Sequence, residues 1–180
     1  RADHLQLQGC LPWRAGRGDL RLVADNVQAG LAFAHVDAHA TGAMEDLQLT
    51  ASATGTSGRV SLAGSARRQG VDWRGTLASL HFEPKKGATW TLQSPAAFVQ
   101  HGGTWALSQA CFGSSAGGRA CASADWPRRG LHVDGTGLPL ALLLPYLAAR
   151  ADGHPWQFDG ELALQGDVRP VGGSWRGTVH

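Results

Sequence analysis

The residues best suited to chemistry in this sequence are three polar side chains within one short stretch. His35, Asp37 and His39 occupy alternate positions, and alternate side chains of a β-strand point to the same face. Imidazole and carboxylate groups grouped in this way could bind zinc. The residues between them are small and apolar, so the pattern also fits a strand whose polar face contacts water. We predict the solvated face and no metal site.

A second stretch matches the pattern of a catalytic serine. Gly113-Ser-Ser-Ala-Gly117 has the glycine-x-serine-x-glycine spacing of a nucleophile elbow, a motif that needs a strand before it and a helix after it. Here the surrounding residues are typical of a hairpin turn. The other glycine pair, Gly102-Gly103, also lies in a predicted turn rather than between a strand and a helix, as a phosphate loop requires. We therefore expect no catalytic residue, no enzymatic activity and no cofactor.

Two of the three cysteines flank this turn. Cys111 and Cys121 lie on strand-like arms at either side of the glycine- and serine-rich segment, a spacing that suits a disulfide closing the 111–121 hairpin. Such a bond persists only in an oxidising compartment. The alternative is a pair of unpaired buried thiols. Cys10 is expected to be a small apolar filler.

The elements that position these residues are predicted to be β-strands. Apolar and polar residues alternate through nearly all of the chain before Val133, and turn residues recur about every ten positions, which is typical of an all-β meander. One sequence motif occurs twice. The first copy is residues 60–64 followed by residues 73–76, and the second is residues 162–166 followed by residues 175–178. Each copy predicts a strand, a turn and a returning strand, so the protein is predicted to be a repetitive β structure of short strands.

One apolar segment interrupts the alternation. Residues 138–149 are predicted to form a short helix, with Pro139 in its first turn and Pro145 as a kink or stop. No apolar run reaches the roughly 20 residues of a membrane-spanning helix. The net charge of +2 is too small to indicate a nucleic-acid partner, and the arginines are scattered among predicted turns rather than gathered into one stripe.

The segment from Trp90 to Leu147 resembles a known family. Its features are the Trp90–Ala96 motif, Trp105-Ala-Leu107, the paired cysteines, Trp126 and the apolar run from Leu138. In these features the segment resembles the translocation and assembly module TamB family, which is related to the AsmA-like proteins of Gram-negative bacteria. The resemblance is specific over roughly these residues and general, as a repetitive β pattern, elsewhere.

This resemblance implies an elongated, curved antiparallel sheet that forms a U-shaped, taco-like groove with an apolar interior. It also implies a periplasmic protein, anchored in the inner membrane and reaching the outer membrane, that carries phospholipid between the two or assembles outer-membrane β-barrel proteins. The implied outer-membrane partner is TamA or another β-barrel, and outer-membrane proteins are possible clients. From the alternation we expect these side chains to line the groove: Leu20, Leu22, Leu31, Phe33, Leu47, Leu49, Leu62, Trp73, Leu77, Leu92, Leu107, Leu162, Leu164 and Trp175.

Three alternatives to this groove interpretation remain. The alternation by itself favours two sheets packed as a β-sandwich, and only the resemblance favours an open groove. The protein could instead be a scaffold that binds client strands along its sheet edges. A metal-dependent or carbohydrate-active enzyme would depend on His35 and His39. Because the chain starts at Arg1 and ends within a strand-like pattern, we expect residues 1–180 to be one segment of a longer repetitive protein.

Overall fold

The described residues of the protein form a single antiparallel sheet with one short helix. The computed structural model describes residues 3–12, 16–29, 31–148, 150, 154, 156–172 and 174–180, without the side chains of residues 28, 29 and 31. The strands are β1 (His4–Cys10), β2 (Gly18–Ala29), β3 (Leu31–Ala43), β4 (Asp46–Gly55), β5 (Gly58–Gln69), β6 (Asp72–Pro84), β7 (Trp90–Leu92), β8 (Ala96–His101), β9 (Thr104–Ser114), β10 (Arg119–Trp126), β11 (Gly130–Pro139), β12 (Glu161–Val171) and β13 (Ser174–Val179). This architecture confirms the all-β prediction.

The strands follow one another across the sheet in the order of the chain. β7 and β8 share one position between β6 and β9, because the chain between them leaves the sheet at Gln93–Pro95. With a spacing of about 4.8 Å between strands, the sheet is about 50–55 Å long. All thirteen described strands belong to this one sheet, so the two-sheet sandwich favoured by alternation alone is wrong.

Many strands are longer than the sequence predicted. β3 and β6 each contain thirteen residues, whereas the sequence predicted short strands. In β3 the predicted apolar run ends at Phe33, yet the strand continues through alternating polar residues and alanines to Ala43. Alanine is small but still apolar, so a row of alanines maintains the alternation without the strong hydrophobic signal of leucine.

The two copies of the repeated sequence motif form equivalent hairpins with the same register. Gly64 lies opposite Leu77 in the β5–β6 hairpin, and the matching Gly166 lies opposite Val179 in the β12–β13 hairpin. Near the turns, Trp73 lies opposite Arg68 and Trp175 opposite Pro170. The sequence repeat is therefore a repeat of backbone pairing as well as of residue types.

Three irregularities in register keep apolar side chains on the same side of the sheet. They lie between Leu77 and Ser79 in β6, between Leu107 and Ala110 in β9, and between Gly135 and Leu138 in β11. In each case the spacing between apolar-face residues changes from two positions to three, and one extra residue is accommodated as a β-bulge. Bulges bend a strand and increase its twist.

The predicted helix is shorter than expected and is a 3-10 helix. It covers Leu140–Tyr146, with Pro139 immediately before it and Pro145 within it; residue 149 lies outside the described residues. The hydroxyl of Tyr146 donates a hydrogen bond of 2.9 Å to the carbonyl oxygen of Lys86 in the β6–β7 connection. The helix therefore runs from the end of β11 past the ends of β10 and β9 to the β6–β7 connection. In the described residues, no helix is long and apolar enough to cross a membrane.

Candidate functional site

The most distinctive surface of the molecule is one apolar face of the sheet, called the apolar face below. Residues directly opposite each other on paired strands point to the same side, so the register traces this face from strand to strand. Across the first six strands one row of opposed residues is entirely apolar: Leu7, Leu22, Ala38, Ala51, Leu62 and Leu80. A second row crosses the later strands: Leu92, Phe112, Ala120, Gly135 and Leu164.

The apolar face is well packed at its centre and exposed at its flanks. Two buried clusters lie on it, one around Met44 and Leu47 and the other around Leu92 and Ala96. Toward the ends of the sheet large apolar side chains contact solvent: Leu5 is 63% exposed and Trp175 68%. In the described part of the chain no polar or charged side chain is buried. The sheet therefore carries a hydrophobic surface that no second layer of strands covers.

Most of the predicted groove residues have the orientation of this face. The register assigns to it Leu20, Leu22, Leu47, Leu49, Leu62, Trp73, Leu77, Leu92, Leu107, Leu162, Leu164 and Trp175. Leu47 and Leu92 are buried, and Leu162 is among the exposed members. The structure thus brings together side chains that are far apart in the sequence.

Two predicted residues differ from that group. Phe33 lies opposite Val27 and two positions before His35 in β3, so regular alternation assigns it to the face of His35. The sequence grouped Phe33 with Leu20 because both are apolar, although residue type does not determine register. Leu31 lies in the same strand, but its side chain is outside the described residues.

A pocket of about 400 Å³ lies on the apolar face. Six side chains line it, all of them apolar: Val60, Leu80, Phe82, Trp90, Phe112 and Ala120. None of these was among the predicted groove residues. Beyond the bulges in β6 and β9, the side chains on the apolar face are those of the opposite sequence parity. A change in the spacing of apolar residues from two to three positions is the sequence signal that identifies Leu80, Phe82 and Phe112 as members of this face.

The opposite face is polar, and contacts between histidine and aspartate side chains link its neighbouring strands. His35 Nδ1 lies 2.9 Å from Asp25 Oδ1, and His39 Nε2 lies 2.9 Å from Asp19 Oδ2. His101 contacts Asp72 at 2.7 Å, and His132 contacts Asp167 at 2.9 Å. These contacts join neighbouring strands on a face that remains in contact with water.

The three residues of the possible metal site lie on this polar face, as alternation predicted. Each of them has a partner on β2: His35 contacts Asp25, His39 contacts Asp19, and Asp37 accepts a hydrogen bond of 3.0 Å from Arg21 Nε. This bond, together with the positive charge of Arg21, lowers the pKa of Asp37 from its ordinary value. Among the described residues no group of three or more histidine, cysteine or acidic side chains has the geometry of a metal site.

The serine-containing stretch lies at the tip of the β9–β10 hairpin. Ser114 Oγ accepts a hydrogen bond of 3.1 Å from the backbone N–H of Ala116, and Ser115 Oγ accepts one of 3.0 Å from Thr89 N–H. Strand β10 follows the turn, where a nucleophile elbow would have a helix. The serines therefore stabilise the turn and its neighbour.

The predicted disulfide between Cys111 and Cys121 is confirmed. The two residues lie directly opposite each other on β9 and β10, on the polar face, and Cys121 is almost completely buried. Cys10 was predicted to fill apolar space but is exposed at the end of β1. The bond joins neighbouring strands that carry part of the apolar face.

Comparison with known proteins finds no significant relative of this chain. No protein-family model matches the chain, and neither a curated protein nor a solved structure is significantly similar to it.

Proposed function

We propose that this chain shields the acyl chains of phospholipids on its apolar face, as part of a periplasmic protein that moves lipid between the inner and outer membranes. The observation that carries the proposal is the continuous apolar surface from β1 to β13, which no second layer covers in the described residues. The TamB-like resemblance of residues 90–147 agrees with this role and supplies the proposed location.

The energetic need for such a surface is large. Transfer of a methylene group from apolar surroundings to water costs about 0.8 kcal/mol, so a sixteen-carbon chain faces a penalty of about 13 kcal/mol. A hydrophobic sheet face removes most of this penalty along its whole length and needs no specific pocket. The pocket beside Phe82 and Trp90 is where we expect an acyl chain to make the most contacts.

Site-specific photo-crosslinking tests this proposal. Photoreactive residues replace Leu49 and Leu92 on the apolar face, and matched substitutions replace their neighbours Thr50 and Thr91 on the polar face. After irradiation in cells, mass spectrometry identifies the captured molecules. We expect phospholipid at the two leucine positions and little at the threonine positions. Absence of lipid from all four positions, or equal capture on both faces, would contradict the proposal.

A second candidate function is a scaffold that adds strands from outer-membrane client proteins. The observation that favours it is the pair of edge strands: β1 pairs only with β2 and β13 only with β12 in the described sheet. Unpaired edges are templates for strand addition. Crosslinkers at Leu5 and Val179 should then capture outer-membrane polypeptides, while one at Leu62 in the sheet interior should not. Capture of lipid alone at these edges would favour the first function.

A further inference from the structure

Four tryptophans that are distant in sequence meet along one rim of the sheet. Trp73 and Trp105 are the second residues of β6 and β9, Trp126 ends β10, and Trp175 is the second residue of β13. Trp105 lies directly opposite Trp126, and Gln100 lies opposite both Trp73 and Trp105. The rings of Trp126 and Trp175 stack with their centroids 4.7 Å apart. We call this end of the strands the tryptophan rim.

Two further apolar side chains are exposed at the tryptophan rim. Val71, in the β5–β6 turn, is 75% exposed, and Val171, the last residue of β12, is also exposed. Apolar residues at turn tips are unusual, because turns favour glycine, proline and small polar residues. A row of exposed aliphatic and indole side chains along one rim indicates contact with a partner that presents an apolar surface.

The polar face at the same rim carries two unusual pairs of arginines. Arg67 lies directly opposite Arg74 in the β5–β6 hairpin, and Arg169 lies directly opposite Arg176 in the β12–β13 hairpin. The two pairs occupy equivalent positions in the two copies of the repeat. Like charges directly opposite each other destabilise a sheet, and the same juxtaposition occurs twice.

None of these four arginines forms an ion pair within the described chain, in contrast to Arg21, which pairs with Asp37 on the same face. Arg67 and Arg74 border a pocket of about 590 Å³ together with the hydroxyl-bearing residues Ser65 and Thr76. Two guanidinium groups and two hydroxyls can bind the oxygens of a phosphate group. An anion between each arginine pair would remove the repulsion that the sequence otherwise tolerates.

The charge balance of the rim favours an anionic partner even when its carboxylates are counted. Arg128 and Arg129 in the β10–β11 turn share Asp125 at 3.4 and 3.9 Å. Asp72 and Asp167 contact histidines. The other carboxylates at this end of the described strands are Asp19, which contacts His39, and Glu45 and Asp46, which border the pocket of Arg67 and Arg74. Eight arginines of the described rim outnumber these six acidic residues, so its net charge is positive: Arg17, Arg67, Arg68, Arg74, Arg128, Arg129, Arg169 and Arg176.

We propose that the tryptophan rim docks on the surface of a lipid bilayer that contains anionic phospholipids. Indole rings are favoured at membrane–water interfaces, where one side is apolar and the other wet, and each basic residue near an anionic membrane surface strengthens binding about fivefold. Here the tryptophans lie on one face of the rim and the arginine pairs on the other, and the apolar Val71 lies at the tip of the β5–β6 turn. A nucleic acid fits less well, because base stacking and phosphate binding would have to occur on opposite faces of the sheet.

Vesicle flotation of the full chain tests this docking. We compare vesicles of phosphatidylcholine with vesicles that also contain phosphatidylglycerol, and we expect binding only to the latter, weakened by salt. The double variant Arg67→Gln/Arg74→Gln should reduce partitioning about twenty-five-fold, because each arginine contributes about fivefold. Its thermal midpoint should stay unchanged or rise, because the repulsion is lost. The matched control is Arg59→Gln/Arg119→Gln, which removes the same charge from the opposite rim and should change binding less than about twofold.

A second measurement tests the apolar part of the contact. Trp175→Ala should reduce partitioning with the arginines intact, whereas Trp156→Ala, away from the rim, should not. Equal losses in the rim and control variants, or no binding to anionic vesicles, would overturn the proposal. Binding of inorganic phosphate or a single-stranded oligonucleotide with the same arginine dependence, but without vesicle binding, would assign the site to that ligand instead. Because the groove is tested by lipid capture at Leu49 and Leu92, the two proposals can fail independently.

Discussion

At the scale of single residues, the polar face shows how cross-strand pairing decides what a side chain can do. His35, Asp37 and His39 have the types and spacing of metal ligands, and they do share one face of β3. Strand β2, however, presents Asp25, Arg21 and Asp19 to them. The chemistry of these three side chains therefore depends on the neighbouring strand as much as on their own spacing.

Arg21→Gln should raise the pKa of Asp37 toward its ordinary value. The hydrogen bond from Arg21 is the main cause of the lowered pKa, and its charge contributes further. Because the folded-state pKa lies below the unfolded value, this pair stabilises the fold above the unfolded pKa, and the contribution disappears as the pH falls through the folded pKa. Carboxyl NMR titration of both proteins measures the change. Arg59→Gln is the control, and an unchanged Asp37 pKa in Arg21→Gln would show that another group lowers it.

Gly42→Ala should destabilise the protein by about 2 kcal/mol. Gly42 has a φ of +119° at the end of β3, and a Cβ atom there would contact the backbone carbonyl oxygen of Asp46. Gly103→Ala is the matched control, since a Cβ atom at that turn position has nothing within 4 Å. Urea denaturation measures both variants. Equal stabilities would mean that the β3–β4 turn can rearrange at little cost.

At the scale of elements, the hairpins carry most of the organisation of the molecule. The β5–β6 and β12–β13 hairpins share residue types and register, yet Trp73 packs beside a buried cluster while Trp175 is 68% exposed. The difference follows from position, because β6 has neighbours on both sides and β13 on only one. The same sequence unit therefore has different burial in the interior and at the edge of a sheet.

The disulfide should stabilise the β9–β10 hairpin substantially. Closing a loop of this length is worth about 3 kcal/mol when the effect is the reduced entropy of the unfolded chain. We expect Cys111→Ala/Cys121→Ala to lower the free energy of unfolding by about that amount. Cys10→Ala, which removes the exposed thiol, should change it little. If the wild-type protein is equally stable with and without reductant, the disulfide does not contribute to stability.

At the scale of the whole molecule, the protein is a one-layer sheet with a hydrophobic and a polar side. Its buried residues are few, and they lie in the middle of the sheet around Leu47 and Ala96. No second sheet shares the burial of the apolar face in the described residues. The same arrangement that leaves this surface uncovered also concentrates the packing in the central strands.

Hydrogen exchange should therefore be slowest in the centre of the sheet. β5 and β6 form twelve opposed residue pairs and each has a second neighbour, whereas every residue of β1 and β13 is exposed. We expect amides of β5 and β6 to exchange only on global unfolding and those of β1 and β13 to exchange by local opening. Mass spectrometry of peptides after exchange measures this gradient. Uniform protection would indicate an additional layer or partner over the edges.

Sequence alone determined the all-β class, the disulfide, the repeat and the orientation of most apolar-face residues. These properties are local: strand alternation repeats every two residues, and the two cysteines are close in the chain. Tertiary structure decided the features that depend on pairing between distant residues. It showed one sheet rather than two, and it placed a partner from β2 beside each of His35, Asp37 and His39.

Tertiary structure also gathered arginines and tryptophans along one rim, although the arginines look scattered in the sequence. Antiparallel pairing brings every second turn to the same end of the sheet, so residues near the turns of β5–β6, β10–β11 and β12–β13 become neighbours along that end. The sequence determines which residues lie near turns. Only the order and direction of the strands determine which turns share a rim, because both are set by contacts between residues far apart in the chain.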